Sequence, residues 1–124
     1  MRTVAVQEYD YYIAGEFRKS ERTIDVVNPA NEQVFARIFE TSGQDIALAI
    51  EKAKKAQRIW RKTSFKERAK AVREIGQAML DNLQVLAELE TREVGKPLKE
   101  SLFVDITLGA DAFRYYASFL ESLN

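Results

Sequence analysis

Three kinds of side chain in this sequence have chemistry beyond packing: a lysine between a glycine and a proline, an aspartate inside an apolar run, and acids spaced along helical stretches. Lys96 stands in "REVGKPL" (92–98). An ammonium there either offsets the carboxyl end of the preceding helix, worth about 0.3–1 kcal/mol when exposed, or moves protons; the first reading is preferred. Asp105 lies between Val104 and Ile106. A carboxylate buried there needs an ion pair, a backbone donor or a bound cation, because an unpaired charge is costly away from water. Paired general acid–base work would need Glu90 with Glu93, or Glu93 with Glu100 across the corner. Single acids on solvated helix faces are the simpler expectation.

What is missing narrows the chemistry further. The chain has no cysteine and no histidine, so it offers no thiolate nucleophile, no imidazole base and no ordinary zinc site. The glycines in "AGEF" and "VGKP" lack both G-x-G-x-x-G and G-x-x-x-x-G-K-[ST] spacing, so no phosphate cradle is expected. Lys plus Arg and Asp plus Glu number 19 each, but the signs are uneven: the net is −2 over 1–40, +6 over 41–70 and −4 over 71–124. The basic residues Lys52, Lys54, Lys55, Arg58, Arg61 and Lys62 ride on an amphipathic pattern without a nucleic-acid motif. They read as a solvated face and not as a nucleic-acid footprint. Trp60 reads as an anchor for its own helix. No opening apolar stretch resembles a secretory signal and no run suggests a membrane span, so a cytoplasmic location and no membrane partner are expected.

The elements that must position these residues change character near residue 42. Up to there, "YDYYIAGEF", "TIDVV" and "VFARIF" read as short strands, with Ala14-Gly15 and Asn28-Pro29 as turns. Ser42 and Asp45 then cap a helix whose apolar positions are Ile46, Ala49, Ile50, Ala53, Ala56 and Trp60. Ser64 and Glu67 form a capping-box pattern ahead of a single helix of roughly 30 residues. Its apolar positions are Ala69, Val72, Ile75, Met79, Leu83, Leu86 and Val94. Gly95 and Pro97 end it and open the next. That third helix, "LKESLFVDITLGADAFRYYASFLESL", is apolar around most of its circumference, which calls for cover on several sides. The organisation expected is residues 1–41 as an N-terminal segment and β-ribbon, then 42–124 as three helices.

In order and approximate spacing, five stretches resemble the start of an NAD(P)-dependent aldehyde dehydrogenase: "YIAGEF" (12–17), "VVNPANEQVFARI" (26–38), "AKKAQRIWRKTSFKERAKAV" (53–72), "ETREVGKPLKES" (90–101) and "FRYYASF" (113–119). The sequence departs from the family pattern at Ala14, usually Asn or Asp, and at Val94, usually Thr or Ser. The resemblance implies an α/β fold, with a β-hairpin or ribbon plus outer helices of a Rossmann-like nucleotide-binding domain that is incomplete in this chain. It implies that the reactive cysteine, base glutamate, oxyanion-binding asparagine and cofactor loop lie downstream, so that no catalytic or cofactor-binding residue is expected here. The implied reaction is thiolate attack on an aldehyde, hydride transfer to NAD or NADP, and hydrolysis of the thioester. The implied partners are an aldehyde substrate, the remainder of the chain, and further copies in a homodimer or homotetramer. It also implies a structural K+ or Na+ ion near Val26, Val27 and Asp105. A stand-alone helical interaction module is the alternative reading.

Overall fold

The computed structural model describes residues 6–123. They group into two compact units, Met1–Ile59 and Trp60–Asn124. The division falls at Ile59/Trp60. The helix that follows the strands is tied to them by long-range hydrogen bonds that Asp45 accepts from Tyr11 and Arg18, and it therefore groups with them.

The first unit holds five strands: β1 (Gln7–Tyr9), β2 (Tyr11–Ile13), β3 (Glu16–Arg18), β4 (Thr23–Asn28) and β5 (Gln33–Phe39), followed by helix α1 (Gly43–Trp60). "YDYYI" reads as one strand but is two, because Tyr9 pairs with Ile38 of β5 while Tyr11 pairs with Arg18 of β3. The larger sheet has the order β1-β5-β4. β1 runs parallel to β5, and β4 runs antiparallel to it with a bulge between Val26 and Val27. β2 and β3 form a separate hairpin. Its two turn residues, Ala14 (φ 55°) and Gly15 (φ 94°), both take positive φ, as a tight two-residue hairpin turn requires. Glycine does this freely, but alanine pays for its Cβ. The β4–β5 turn is held by Asn28, whose side-chain oxygen accepts the Ala30 amide at 2.9 Å and whose carbonyl accepts the Glu32 amide at 2.8 Å.

The second unit is helical: α2 (Phe65–Asp81), α3 (Leu83–Val94), a short turn α4 (Leu98–Glu100), a π-helical turn (Ser101–Asp105) and α5 (Ile106–Ser122). The start of α2 follows the sequence closely. Ser64 Oγ accepts the Glu67 amide at 3.2 Å, and Glu67 Oε2 accepts the Ser64 amide at 3.0 Å. The expected 30-residue helix is broken at Asn82 (φ −112°, ψ 19°). There the side-chain amide donates to the Ala78 carbonyl at 2.9 Å, and the backbone amide turns back to Ala78 and Met79. An asparagine that satisfies the end of one turn itself removes the need to continue it. The expected buried stripe is also corrected. Ile75 and Val94 are exposed, and the buried positions of α2 are Ala69 and Gly76.

Those two lie seven residues apart, and so do the buried Ala110 and Ala117 of α5. Seven residues is close to two helical turns, so each helix presents one narrow line of small residues to the other. A Cβ added to Gly76 would stand 2.9 Å from the Ala110 carbonyl oxygen, which measures how near the backbones come. Beside the seam, Arg73 pairs with Glu121 at 2.8 Å and Arg114 donates to Gln77 at 3.1 Å. α3 adds Ala87, fully buried, and Thr91, whose hydroxyl meets that of the fully buried Ser101 at 3.2 Å.

Candidate functional site

Among the described residues, charged side chains converge around Asp45 in the first unit and around Lys96 in the second, and more loosely where Lys19 meets Glu8 and Asp10. In the second unit, α3 ends because Gly95 adopts φ 80° and returns its amide to the Thr91 carbonyl at 2.9 Å. Pro97 then opens the next helix. Lys96, held between them, does not point back over the carboxyl end of α3 as its main contact. Its Nζ donates to Asp105 Oδ2 at 2.7 Å and lies 4.0 Å from Glu90 Oε1. The π-helical turn belongs to this geometry: the Ile106 amide reaches back five residues to the Ser101 carbonyl, and the Thr107 hydroxyl donates to the Leu102 carbonyl at 2.9 Å. Such a turn accommodates one extra residue and re-aims the side chains on either side of it. Asp105 thus has the ion pair that its apolar neighbours demand. The hydrogen bond that it donates to Asp105 holds the Lys96 ammonium above the ordinary lysine range, against a smaller desolvation effect. A raised lysine contributes stability that is complete below its unfolded value and is lost only as pH rises past its folded one. No proton leaves it near neutrality.

In the first unit the hub is Asp45, in the first turn of α1. One carboxylate oxygen accepts the Tyr11 hydroxyl at 2.8 Å, the other accepts Arg18 Nη1 at 2.8 Å, and Ser42 Oγ lies at 3.1 Å. The Tyr11 hydrogen bond, aided by Ser42 and Arg18 and opposed by burial, depresses the Asp45 carboxyl; the same bond raises the tyrosine. A depressed carboxylate contributes stability that is present above its unfolded value and disappears as pH falls through the folded one. Lys96 and Asp45 therefore stay charged across the neutral range, and each binds its neighbours together. Asp45 is legible from sequence as a helix cap, but its partners 27 and 34 residues away are not.

Of the residues expected to hold a monovalent cation, Val26 is half-buried and Val27 exposed, on either side of the β4 bulge, and Asp105 is engaged by Lys96. Val26 and Val27 belong to the first unit and Asp105 to the second. Among the described residues no group of three or more acidic side chains is arranged to hold a metal. Glu90 shares the Lys96 ammonium with Asp105, at 4.0 Å and 2.7 Å. The first turns of α1 and α2 carry their own carboxylates, Asp45 and Glu67. A groove of about 460 Å³ between the hairpin and α1 is lined by Tyr12, Ile13, Ala14, Ala49, Lys52, Ala53 and Ala56. It has one charged group and no reactive one. From residue 51 to 60 every side chain of α1 is exposed, the basic ones and the expected apolar stripe alike, and no residue of the helix is buried. Trp60, 40% exposed, has its carbonyl capped by the Thr63 hydroxyl at 2.7 Å.

Comparison with known proteins agrees with this picture. Residues 17–124 match the aldehyde dehydrogenase family. The fold is similar to that of lactaldehyde dehydrogenase from Escherichia coli, with a TM-score of 0.89 and 30% identity over 94% of this chain and 25% of that one. It is similar to a mutant aldehyde dehydrogenase from Bacillus cereus, with a TM-score of 0.86 and 31% identity over 91% and 24%. A point mutant of betaine aldehyde dehydrogenase from Staphylococcus aureus, solved in complex with NAD+, gives a TM-score of 0.82 and 32% identity over 91% and 23%. The chain thus spans about a quarter of the length of the structures it matches.

Proposed function

Because the chain belongs to the aldehyde dehydrogenase family, we propose that it is the N-terminal part of an enzyme that oxidises an aldehyde to a carboxylic acid with NAD+ or NADP+. The match over residues 17–124 carries this reading. The lack of any cysteine or histidine in the sequence supports placing the bond-making steps elsewhere in the polypeptide. The nicotinamide supplies a hydride acceptor in that chemistry, and none of the residues described above takes a step in it. Their contribution is architectural: the Asp45 hub fixes the hairpin against α1, and the Lys96–Asp105 pair fixes the corner between α3 and α5. The NAD+ complex of the betaine aldehyde dehydrogenase supports the cofactor class. A homodimer or homotetramer in the cytoplasm belongs to the same proposal. So does a K+ or Na+ ion at Asp105, where it must compete with the Lys96 ammonium.

The test is an assay of the continuous polypeptide that contains these residues, with aliphatic and aromatic aldehydes and either dinucleotide, read as absorbance of the reduced nicotinamide. Turnover is expected from that polypeptide and not from residues 1–124 alone. Turnover by residues 1–124, or its absence from the longer chain with every aldehyde, overturns the proposal.

A further inference from the structure

α4, the π-helical turn and α5 run on without a break from Leu98 to Ser122. The residues at the two joins, Glu100 with Ser101 and Asp105 with Ile106, all keep right-handed helical φ and ψ. Asn82, by contrast, leaves the helical region at φ −112° and ψ 19° and ends its helix. The stretch after Pro97 is therefore one helix with a widened turn in it.

The phase of that helix shows what the widened turn does. Ser101 is fully buried, and its hydroxyl meets that of Thr91 on α3 at 3.2 Å. Ala110 is fully buried too, with its carbonyl against Gly76 of α2. The two residues are nine positions apart. Nine steps of an unbroken α-helix, at about 100° each, would put them about 180° apart, on opposite faces. A turn closed by bonds between residues five apart absorbs one residue more than an α turn, which brings them to about 80° of each other. One helix can then meet α3 at its start and α2 along its length.

The widening leaves a backbone group to be satisfied. Where five-residue spacing gives way to four-residue spacing, one carbonyl loses its amide. The Ile106 amide takes the Ser101 carbonyl, and the next carbonyl, that of Leu102, receives the Thr107 hydroxyl at 2.9 Å. Leu102 and Thr107 are both half-buried, so water is a poor substitute. Phe103 and Val104, in the middle of the turn, are 71% and 51% exposed, so neither carries much packing within this chain.

We propose that the turn Ser101–Asp105 is a one-residue register insertion, tolerated because Thr107 serves the carbonyl that the insertion orphans. Removing one residue there restores an ordinary α-helix with both seams in phase: without Val104, Ser101 and Ala110 stand eight positions apart, again about 80°. Thr107 is thus a positioning residue for the corner beside Lys96 and Asp105. This register holds whatever reaction the whole polypeptide carries out.

Hydrogen exchange in α2 and α5 of the continuous polypeptide tests it. Deletion of Val104 is expected to leave exchange within about threefold of that in Val104→Ala, which reports the loss of the side chain alone. Deletion of Asp111, between Ala110 and Ala117, turns Ala117 about 100° away from α2 and should speed exchange roughly a hundredfold or more. Thr107→Val keeps the size and removes the hydroxyl; it should speed exchange roughly tenfold in the parent chain, where a half-buried carbonyl loses its donor, and leave the Val104-deleted chain unchanged. Deletions at 104 and 111 that do equal damage overturn the insertion, as does a Val104 deletion that fails to fold while Val104→Ala folds. An equal response to Thr107→Val with and without Val104 overturns the part given to Thr107.

Discussion

The two sides of α5 use opposite means. Towards α2 the helix offers alanines, and α2 answers with Ala69 and Gly76, so backbone meets backbone and every buried position is small. Away from α2 it offers leucine, tyrosine and phenylalanine, large side chains left in water. A hydrophobicity pattern weights the second side more heavily, yet in this chain the first is the one that is packed. The size of the apolar residue, and not only its spacing, tells which face closes on a near neighbour and which waits for a more distant surface.

The most damaging way to break the inner seam is at Gly76. Replacing a helix-interior glycine by alanine normally stabilises by about 1 kcal/mol. Here the new methyl would stand 2.9 Å from the Ala110 carbonyl oxygen and 3.1 Å from Phe113 Cβ, both of them fixed atoms. The expected sign therefore reverses, with Gly76→Ala losing about 1–3 kcal/mol in a denaturant titration. Gly109→Ala is the companion measurement. Its Cβ would meet only the terminal methyl of Met79, at 3.0 Å, which can swing aside, so that variant should be neutral or gain slightly. Equal responses at the two glycines would mean that the helices are not in backbone contact.

Much of this was legible in the sequence, for reasons that differ residue by residue. The Ser64–Glu67 box and the Gly95 stop are local: each is a contact within four residues, so spacing alone exposes it. The strand and turn alternation of the first 40 residues, the corner at Lys96 and the surplus of apolar surface on the last helix were equally open to reading. The break at Asn82 was hidden, because the apolar positions continue through it on both sides and only the asparagine marks it. The Asp45 hub and the Lys96–Asp105 pair were half visible. One partner could be suspected from its surroundings, but the other is fixed by the fold. The division of β1 from β2 was hidden too, since Tyr9 and Tyr11 differ only in which distant strand they find. Ala14 is the local exception, where the family's usual Asn or Asp would sit more easily at φ 55° than the alanine present.

A smaller perturbation approaches the same seam from its end. Ser64→Ala removes the oxygen that accepts the Glu67 amide and should cost about 1 kcal/mol. Ala69 is on the seam within the next two turns, so hydrogen exchange at the amino end of α2 should quicken while that of α3 stays unchanged. Quickening in both helices would show that the Asn82 break does not separate them.

In residues 1–124 the smallest effect is expected on the outer side, and it is the most informative. Leu108→Ser takes a large apolar side chain off the stripe. In residues 1–124 the leucine is already mostly in water, so the change should move stability by no more than about 0.5 kcal/mol. In the continuous polypeptide the same leucine would be covered, and losing it should cost about 2–5 kcal/mol, as for other buried leucines truncated to a small residue. One substitution measured in two lengths of chain thus separates a face that is merely apolar from one that is half of an interface. A large loss in the short chain would mean that Leu108 is already packed there, and the contrast between the two sides of α5 would not hold.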